Sequence, residues 1–278
     1  MTGMGLLTTI PISMSSAPAP APDRLRIWQQ NLNKSRVAQE DLINSEVYKQ
    51  FDVLILQEPF IDSYSNIWAT RDWRVVYPSS FLSHTHVVCS VILVRSTMDT
   101  NGWAQISAPS TGDMVAIQIC VGSSKVTLFG LYIDGNHSDT LHLLDDYLRA
   151  HTATTTPRPS SHMFWCSDFN CHHLLWDEER NRHLFMAAVL RDSEILLGIV
   201  VDHRMVMALP RDIPTLEAMA TKNWTQPDNF FCTEHSESLI VSCSTDPWRR
   251  GPGTDHVPIL TTLEFPVKSA PMTPTHNF

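Results

Sequence analysis

The chain has 278 residues, a formal net charge of −9 and 43% hydrophobic residues. That length and apolar content are enough for one large domain with a sizeable core. Proteins that hold nucleic acid mainly by charge are usually basic, so the acidic total argues against a uniformly basic binding surface. The longest apolar run, residues 195–201, is far shorter than the ~20 residues of a membrane-spanning helix, so no membrane span is expected.

The two ends of the chain differ in composition from its middle. Residues 1–23 contain an alternating Ala-Pro run and residues 267–278 are rich in proline and hydroxyl groups, so both are predicted to be flexible tails. A secretory signal is disfavoured because no basic region precedes the apolar segment, which Thr8, Thr9 and Pro11 interrupt. Residues 24–266 are predicted to form the folded domain. Its six cysteines include no Cys-x-x-Cys pair, which indicates buried, reduced thiols in an intracellular protein.

Taken in chain order, short apolar and alternating stretches predict about ten strands. They are expected at residues 24–28, 53–56, 73–77, 87–94, 114–121, 126–133, 163–166, 205–209, 229–233, 238–241 and 259–265. Helical spacing predicts helices from 35 to about 50, from 138 onward and from 177 to about 191, with Ser35 and Ser138 as caps and Val37 on a buried face. Short strands dominate and regular βαβ alternation is absent, which favours an α/β fold with two packed sheets flanked by helices.

Polar residues collect where the predicted strands end. They are Gln30-Asn31, Gln57-Glu58, Tyr132, Asp168-Phe169-Asn170 and, before the last strand, Thr254-Asp255-His256. Strand ends on one rim of a sandwich can meet in space. Carboxylate and amide oxygens bind Mg²⁺ or Mn²⁺, and acids, amides and one histidine suit phosphoryl transfer better than acyl transfer. The sequence contains neither a Gly-x-Ser-x-Gly elbow nor a Gly-x-x-x-x-Gly-Lys phosphate loop.

Residues 168–176, Asp-Phe-Asn-Cys-His-His-Leu-Leu-Trp, resemble the Asp-Phe-Asn-x-His-His-x-x-Trp signature of non-LTR retrotransposon endonucleases, which are associated with reverse transcriptases. These enzymes belong to the endonuclease/exonuclease/phosphatase (DNase I-like) superfamily. The chain also resembles three further superfamily motifs, which occur in the same order, at Gln30-Asn31, Gln57-Glu58-Pro59 and Thr254-Asp255-His256. The resemblance extends from about Arg24 to Phe265.

The resemblance implies a four-layer α/β sandwich with two packed, mostly antiparallel sheets flanked by helices. It also implies a phosphodiester hydrolase dependent on Mg²⁺ or Mn²⁺, namely a DNA endonuclease of retroelement origin, located in the nucleus if it acts as a retroelement endonuclease. The metal site implied by the resemblance consists of Glu58, with Asn31 beside it, and of Asp255 as part of the metal or water network.

The resemblance assigns the chemistry to five further positions. Asp168 would orient or deprotonate the attacking water, and Asn170 and Tyr132 would contact the phosphate. His256 would act on the phosphoryl oxygens as a donor or acid-base partner, oriented by Asp228. A carboxylate beside a histidine fixes one tautomer and stabilises its protonated form.

Two positions depart from the superfamily pattern. Ile133 follows the strand-end tyrosine where an asparagine is usual nearby, the nearest candidates being Asp134 and Asn136, and Ser167 replaces the usual glycine, which is expected to alter that turn slightly. These departures keep open a catalytically weakened binding domain. The acidic total charge keeps open a small-molecule or lipid phosphoesterase of the same fold.

A nuclease with this charge requires a local basic rim near the site. The candidate basic residues near the motifs are Lys34, Arg180, Arg182, Arg249 and Arg250. His172 and His173 lie beside Cys166 and Cys171, but a zinc site is disfavoured because no second pair at ligand spacing is present. The target sequence, the choice between DNA and RNA and the oligomeric state stay open.

Overall fold

A computed structural model describes residues 23–83, 86–152, 160–185 and 187–266, and the predicted tails lie outside these ranges except for Asp23. The described α-helices are α1 (Arg36–Asn44), α2 (Asp139–Thr152) and α3 (Ala187–Asp202). The described strands are β1 (Asp23–Asn31), β2 (Val53–Gln57), β3 (Trp73–Val76), β4 (Ser90–Arg95), β5 (Trp103–Gln105), β6 (Met114–Val121), β7 (Ser124–Tyr132), β8 (Ser161–Asp168), β9 (Met205–Met207), β10 (Leu216–Glu217), β11 (Trp224–Thr225), β12 (Asp228–Thr233), β13 (Ile240–Thr245) and β14 (Ile259–Phe265).

Twelve of these strands form two six-stranded sheets. The first sheet has the order β13-β14-β1-β2-β4-β3, and the second has the order β5-β6-β7-β8-β12-β9. Strands β10 and β11 pair separately as a short hairpin. Neighbouring strands are antiparallel except for one parallel pair near the centre of each sheet, β1 with β2 and β7 with β8. Both sheets are therefore mostly antiparallel, as predicted.

Three apolar clusters define four layers. The inner faces of the two sheets meet in one core, which includes Ile27, Ile55 and Phe164. Helix α1 covers the outer face of the first sheet, where Leu42 packs in a cluster with Leu54. Helices α2 and α3 cover the outer face of the second sheet, where Leu144 and Leu196 pack in a cluster with Trp165 of β8. The four-layer α/β sandwich that the resemblance implies is confirmed.

The two sheets approach each other closely at Gly130, in the middle of β7. A Cβ atom at this position would lie 2.8 Å from Ile55 Cγ2, 3.0 Å from Ser90 Oγ and 3.2 Å from Val115 Cγ1. Because real Cβ atoms are not found that close to their neighbours, glycine is required for this spacing between β7 and the first sheet. Tyr132 ends the same strand two residues later and points to the same side as Gly130.

Two predicted helices differ from the observed ones. The first is capped by Ser35 as predicted, since Ser35 Oγ accepts from Ala38 N at 3.1 Å, but it ends at Asn44, and a separate 3-10 turn occupies Glu46–Lys49. Val37 is 57% exposed, so its predicted burial was wrong. The predicted helix at 177–191 was also wrong in its bounds, because a 3-10 turn spans Glu179–Leu184 and α3 continues to Asp202.

Smaller differences concern the strands and the cysteines. Residues 87–89, predicted as strand, form a loop before β4, and β5, β10 and β11 were not predicted. All six cysteines are free, but the predicted burial holds only for Cys166, Cys171 and Cys232, because Cys89 and Cys243 are partly exposed and Cys120 is exposed. Within the described ranges, no helix is both long and apolar enough to cross a membrane.

Candidate active site

The predicted site residues lie at strand ends on one rim of the sandwich. Asn31 ends β1 and pairs in register with Gln57, the residue before Glu58. Tyr132 ends β7 and pairs with Asp168 at the end of β8, which in turn faces Asp228 at the start of the antiparallel strand β12. Because parallel strands end on the same side and an antiparallel neighbour begins there, the topology brings these side chains together.

Asp168 is a fully buried carboxylate at the centre of the site. Its Oδ2 accepts a hydrogen bond of 2.8 Å from Asn31 Nδ2, and its Oδ1 accepts one of 3.0 Å from the backbone N of Asn170. Burial raises the pKa of Asp168 to about 6, and the neighbouring Asp228 acts in the same direction. A carboxylate with a pKa near neutrality is well matched to accept a proton at neutral pH.

His256 lies between three carboxylates. Its Nδ1 is 2.9 Å from Asp228 Oδ2, and its Nε2 is 4.0 Å from Asp168 Oδ2 and 3.9 Å from Asp255 Oδ1. Burial alone would lower the pKa of His256, but attraction to Asp228, together with their hydrogen bond and the charges of Asp168 and Asp255, overcomes it and raises the pKa to about 10. The imidazole is therefore cationic at neutral pH, with Nδ1 donating to Asp228.

Glu58 sits in a strained backbone position directly after β2. Its φ is +42°, which non-glycine residues rarely adopt and which is often found at functional sites. Tyr132 Oη donates to Glu58 Oε1 at 3.0 Å, and Lys34 Nζ lies 3.1 Å from the same oxygen. Burial and the charge of Glu58 raise the pKa of Tyr132 well above its usual value, so the phenol stays protonated and keeps donating.

The loop at residues 31–34 joins the three predicted metal ligands. Asn33 N donates to Asn31 Oδ1 at 2.7 Å, and Asn33 Nδ2 donates to Asp255 Oδ1 at 3.1 Å. Lys34 N donates to the carbonyl of Glu58 at 2.9 Å. Both Asn33 and Lys34 have positive φ values, +49° and +55°, so this connection is built with backbone strain.

The donor set fits a hard divalent cation. Glu58 and Asp255 are carboxylates that remain partly accessible, with 14% and 19% of their side chains exposed. The ammonium group of Lys34 already stands in for a cation at Glu58. Oxygen ligands of this kind select Mg²⁺ or Mn²⁺. A second group, Asp168, Asp228 and His256, has its ligand atoms within 4.8 Å of one another, and there Asp228 Oδ2 already accepts a hydrogen bond from His256 Nδ1.

The two departures from the superfamily pattern have structural explanations. Ile133 is buried, and its carbonyl accepts a hydrogen bond of 2.8 Å from Asn170 Nδ2. Ser167 lies inside β8, and its Oγ donates to the carbonyl of Leu131 at 2.9 Å. The expected altered turn at Ser167 was wrong, because the residue with positive φ in this segment is Asn170, at +46°.

The side-chain amide nitrogen of Asn170 has two acceptors within the protein, because Nδ2 donates to the carbonyl of Ile133 and also lies 3.4 Å from Asp168 Oδ2. Its predicted contact with phosphate therefore stays a prediction, as does that of Tyr132. Two later residues of the Asp-Phe-Asn motif make contacts within the protein. Trp176 is buried and donates from Nε1 to the carbonyl of Cys171 at 3.1 Å, and His172 Nδ1 lies 3.3 Å from buried Asp177.

Sequence reasoning missed several buried polar residues that support the site. Asp177 Oδ1 accepts from Gln226 N at 2.7 Å, two residues before Asp228, and Thr215 Oγ1 accepts from Asp228 N at 3.1 Å. Gln29 and Gln57 bridge the two sheets by donating to the carbonyls of Ser167 and Cys166. A polar residue within an otherwise apolar strand was the available signal for the two glutamines.

The basic residues near the site are engaged in ion pairs. Arg250 Nη1 lies 2.6 Å from Glu217 Oε2, and Arg249 Nε lies 3.2 Å from Asp246 Oδ2. Arg180 and Arg182 pair with neighbouring glutamates in the same way. A predicted basic rim at these residues therefore requires that phosphate groups compete with internal carboxylates.

The architecture and the rim of strand-end residues together define a protein of the DNase I-like fold. No protein-family model matches the sequence, and no curated protein matches it. The structure, however, is similar to solved structures of nucleases. Because the sequence identity is low, this similarity concerns the fold alone.

One similar structure is the endonuclease domain of TRAS1, a telomere-specific non-LTR retrotransposon, with a TM-score of 0.64 and 18% identity over 86% of this chain and 98% of that chain. A second is the AP endonuclease LMAP from Leishmania major, with a TM-score of 0.65 and 13% identity over 87% and 88%. A third is the 3'-5' exonuclease NExo from Neisseria meningitidis, with a TM-score of 0.63 and 14% identity over 87% and 100%.

Proposed function

We propose that the protein is a divalent-metal-dependent phosphodiesterase that cleaves nucleic acid, with DNA endonuclease activity of retroelement origin favoured. The observation that carries the proposal is the buried group of Asp168, Asp228 and His256 on the rim that also holds Asn31 and Glu58. Two carboxylates with a cationic imidazole between them are costly to bury for packing alone. The resemblance to retrotransposon endonucleases in the Asp-Phe-Asn motif supports the choice of DNA.

The residues of the chain divide the work of hydrolysis. Asp168, whose pKa of about 6 leaves it mainly ionised at neutral pH, would hold the attacking water and accept its proton. Cationic His256 would donate from Nε2 to a phosphoryl oxygen while Asp228 holds Nδ1. Asn31 and Asn170 keep Asp168 in place through its two oxygens. Glu58 and Asp255, with Asn31, would hold the metal, which when bound supplies positive charge against the developing charge on the phosphate and leaving oxygen.

A plasmid-nicking assay with Mg²⁺, Mn²⁺ or EDTA tests the proposal directly. We expect cleavage with either ion, none in EDTA, and a loss of about 10²-fold or more in Asp168→Asn and His256→Gln. Glu264→Gln is a matched control, because Glu264 pairs with exposed Arg24 at the opposite end of β1. Nicking by Asp168→Asn at the wild-type rate would refute the assigned chemistry, and an inactive wild type would favour the weakened binding domain.

Metal binding has its own test in calorimetry with Mn²⁺. Glu58→Gln should weaken binding by about tenfold or more, because the variant removes the charge of a principal oxygen ligand. Equal affinities of wild type and variant would exclude Glu58 as a principal ligand. Glu264→Gln again serves as the control.

A small phosphoester is the second candidate substrate, and the pairing of Arg249 and Arg250 with acids favours keeping it. Replacing both arginines by alanine separates the two substrates. If they contact flanking phosphates, plasmid nicking should weaken and lose about one unit of salt slope per lost contact, while hydrolysis of bis(p-nitrophenyl) phosphate should change little. Unchanged nicking at every salt concentration would favour the small phosphoester.

A further inference from the structure

Thr215 connects the two segments that carry the Asp228–His256 pair. It lies immediately before β10, is fully buried and forms hydrogen bonds through three groups. Its Oγ1 accepts from Asp228 N at 3.1 Å, its carbonyl accepts from Val257 N at 2.6 Å, and its own N donates to the carbonyl of Thr225 at 2.9 Å. Asp228 begins a strand of the second sheet, whereas Val257 precedes the last strand of the first sheet. Thr215 therefore fixes two sheets relative to each other at the site.

The two residues after Thr215 continue this connection. Leu216 forms an isolated bridge with His256, and Glu217 N donates to the carbonyl of Asp255 at 3.1 Å. The backbone of His256 is thus held by main-chain pairing that any residue at 215 could support. The backbone of Asp228 is held differently, because its N–H donates to the side-chain hydroxyl of Thr215.

Asp228 has few other restraints on its carboxylate. Oδ2 contacts His256 Nδ1 at 2.9 Å, and Oδ1 is buried without a hydrogen-bond partner in the described part of the chain. The position of the carboxylate must therefore come from the backbone at Asp228. Among the described contacts, the backbone N–H of Asp228 donates only to Thr215 Oγ1. A buried N–H without an acceptor is costly, so loss of this bond should shift the backbone at Asp228.

We propose that Thr215 is a positioning residue whose hydroxyl sets Asp228 at hydrogen-bonding distance from His256. Its effect on cleavage rests on the proposed function, whereas its effect on the Asp228–His256 hydrogen bond does not. Thr215→Val removes the acceptor with almost no change in shape, and Thr215→Ser keeps it. Thr225→Val is the matched control, because Thr225 Oγ1 is buried nearby with no hydrogen-bond partner in the described ranges.

The first test is steady-state cleavage of a DNA duplex. Thr215→Val should lower kcat about tenfold and leave KM within about twofold, as expected when one hydrogen bond that orients a catalytic pair is lost. Thr215→Ser and Thr225→Val should stay within about twofold of wild type. In an Asp228→Asn background, Thr215→Val should cause no further loss, because residues that act through one another are not additive. Equal losses in both backgrounds would overturn the proposal.

The second test does not depend on activity. With ¹⁵N-labelled histidine and EDTA present, the His256 Nδ1 proton should appear far downfield in wild type, Thr215→Ser and Thr225→Val, and should move upfield or broaden in Thr215→Val. An unchanged Nδ1 proton in Thr215→Val would overturn the proposal even if the protein cleaves DNA. If wild type does not cleave DNA, the proposed function fails and this spectrum alone decides the role of Thr215. Thr215→Ala replaces the valine variant in both tests if the latter does not fold.

Discussion

The spacing between the sheets at Gly130 predicts a specific loss of stability. In Gly130→Ala the new Cβ would lie 2.8 Å from Ile55 Cγ2 and 3.0 Å from Ser90 Oγ, and both of these residues are fully buried. The contact with Ile55 Cγ2 cannot be relieved by a flexible side-chain end, because isoleucine is branched at Cβ and stiff at χ1. Therefore β7 or the facing sheet must move by several tenths of an ångström. Overpacking of this kind costs about 1–3 kcal/mol.

Thermal unfolding followed by circular dichroism measures this cost. For a domain of this size each kcal/mol lowers Tm by about 2–4 °C, so the expected fall in Gly130→Ala is about 2–12 °C. Gly198→Ala is the matched control, because Gly198 lies in α3 with nothing within 4 Å of the added Cβ. It should stabilise the protein by about 0.5–1 kcal/mol, as alanine does in a helix. A Tm for Gly130→Ala equal to or above that of wild type would refute the argument from close packing.

Three further predictions concern the site. Asp228→Ala, His256→Ala and the double variant should lose similar activity in the nicking assay, and additive losses would show that the two residues act separately. In EDTA, the unfolding free energy of wild type should fall as pH rises from about 6.5 to about 10, because the raised pKa of His256 gives stability that is present below its ordinary pKa and is lost as the folded imidazole deprotonates. The unfolding free energy of His256→Gln, measured by chemical denaturation, should not fall over this pH range. A fall as large as that of wild type would contradict the prediction. Glu217→Gln should free Arg250 and tighten binding of a DNA duplex several-fold at low salt, and unchanged affinity would show that Arg250 does not reach DNA.

The positions of several candidate site residues on one rim could be expected because they lie at or just after strands that the apolar pattern makes visible. Asn31 and Asp168 end strands and Glu58 directly follows one. The roles of these residues came from the resemblance to retrotransposon endonucleases and stay predictions. The supporting residues could not be predicted in this way. Thr215 directly precedes a two-residue strand in which Leu216 forms an isolated bridge with His256, and such short pairings have no periodicity to detect.

The predicted helix at 177–191 shows the same limit. The sequence predicts Asp177 as its first residue, but the Asp177 carboxylate is buried and accepts a hydrogen bond from Gln226 N, 49 positions away along the chain. This long-range contact fixes the backbone ahead of the 3-10 turn at Glu179–Leu184, and the regular helix begins only at Ala187. Local propensity cannot reveal a contact of that range.

The pairing of β1 with β14 has a consequence for synthesis of the chain. β1 is translated early and can pair at once with β2, but its other edge stays open until β14 emerges more than 220 residues after it. An open edge strand invites pairing with other chains. The segment that closes this edge is also the one that delivers Asp255 and His256. On a ribosome, a growing chain therefore loses this exposed edge and gains the last of the candidate site residues in one event, so that no chain that stops before His256 carries the whole candidate site.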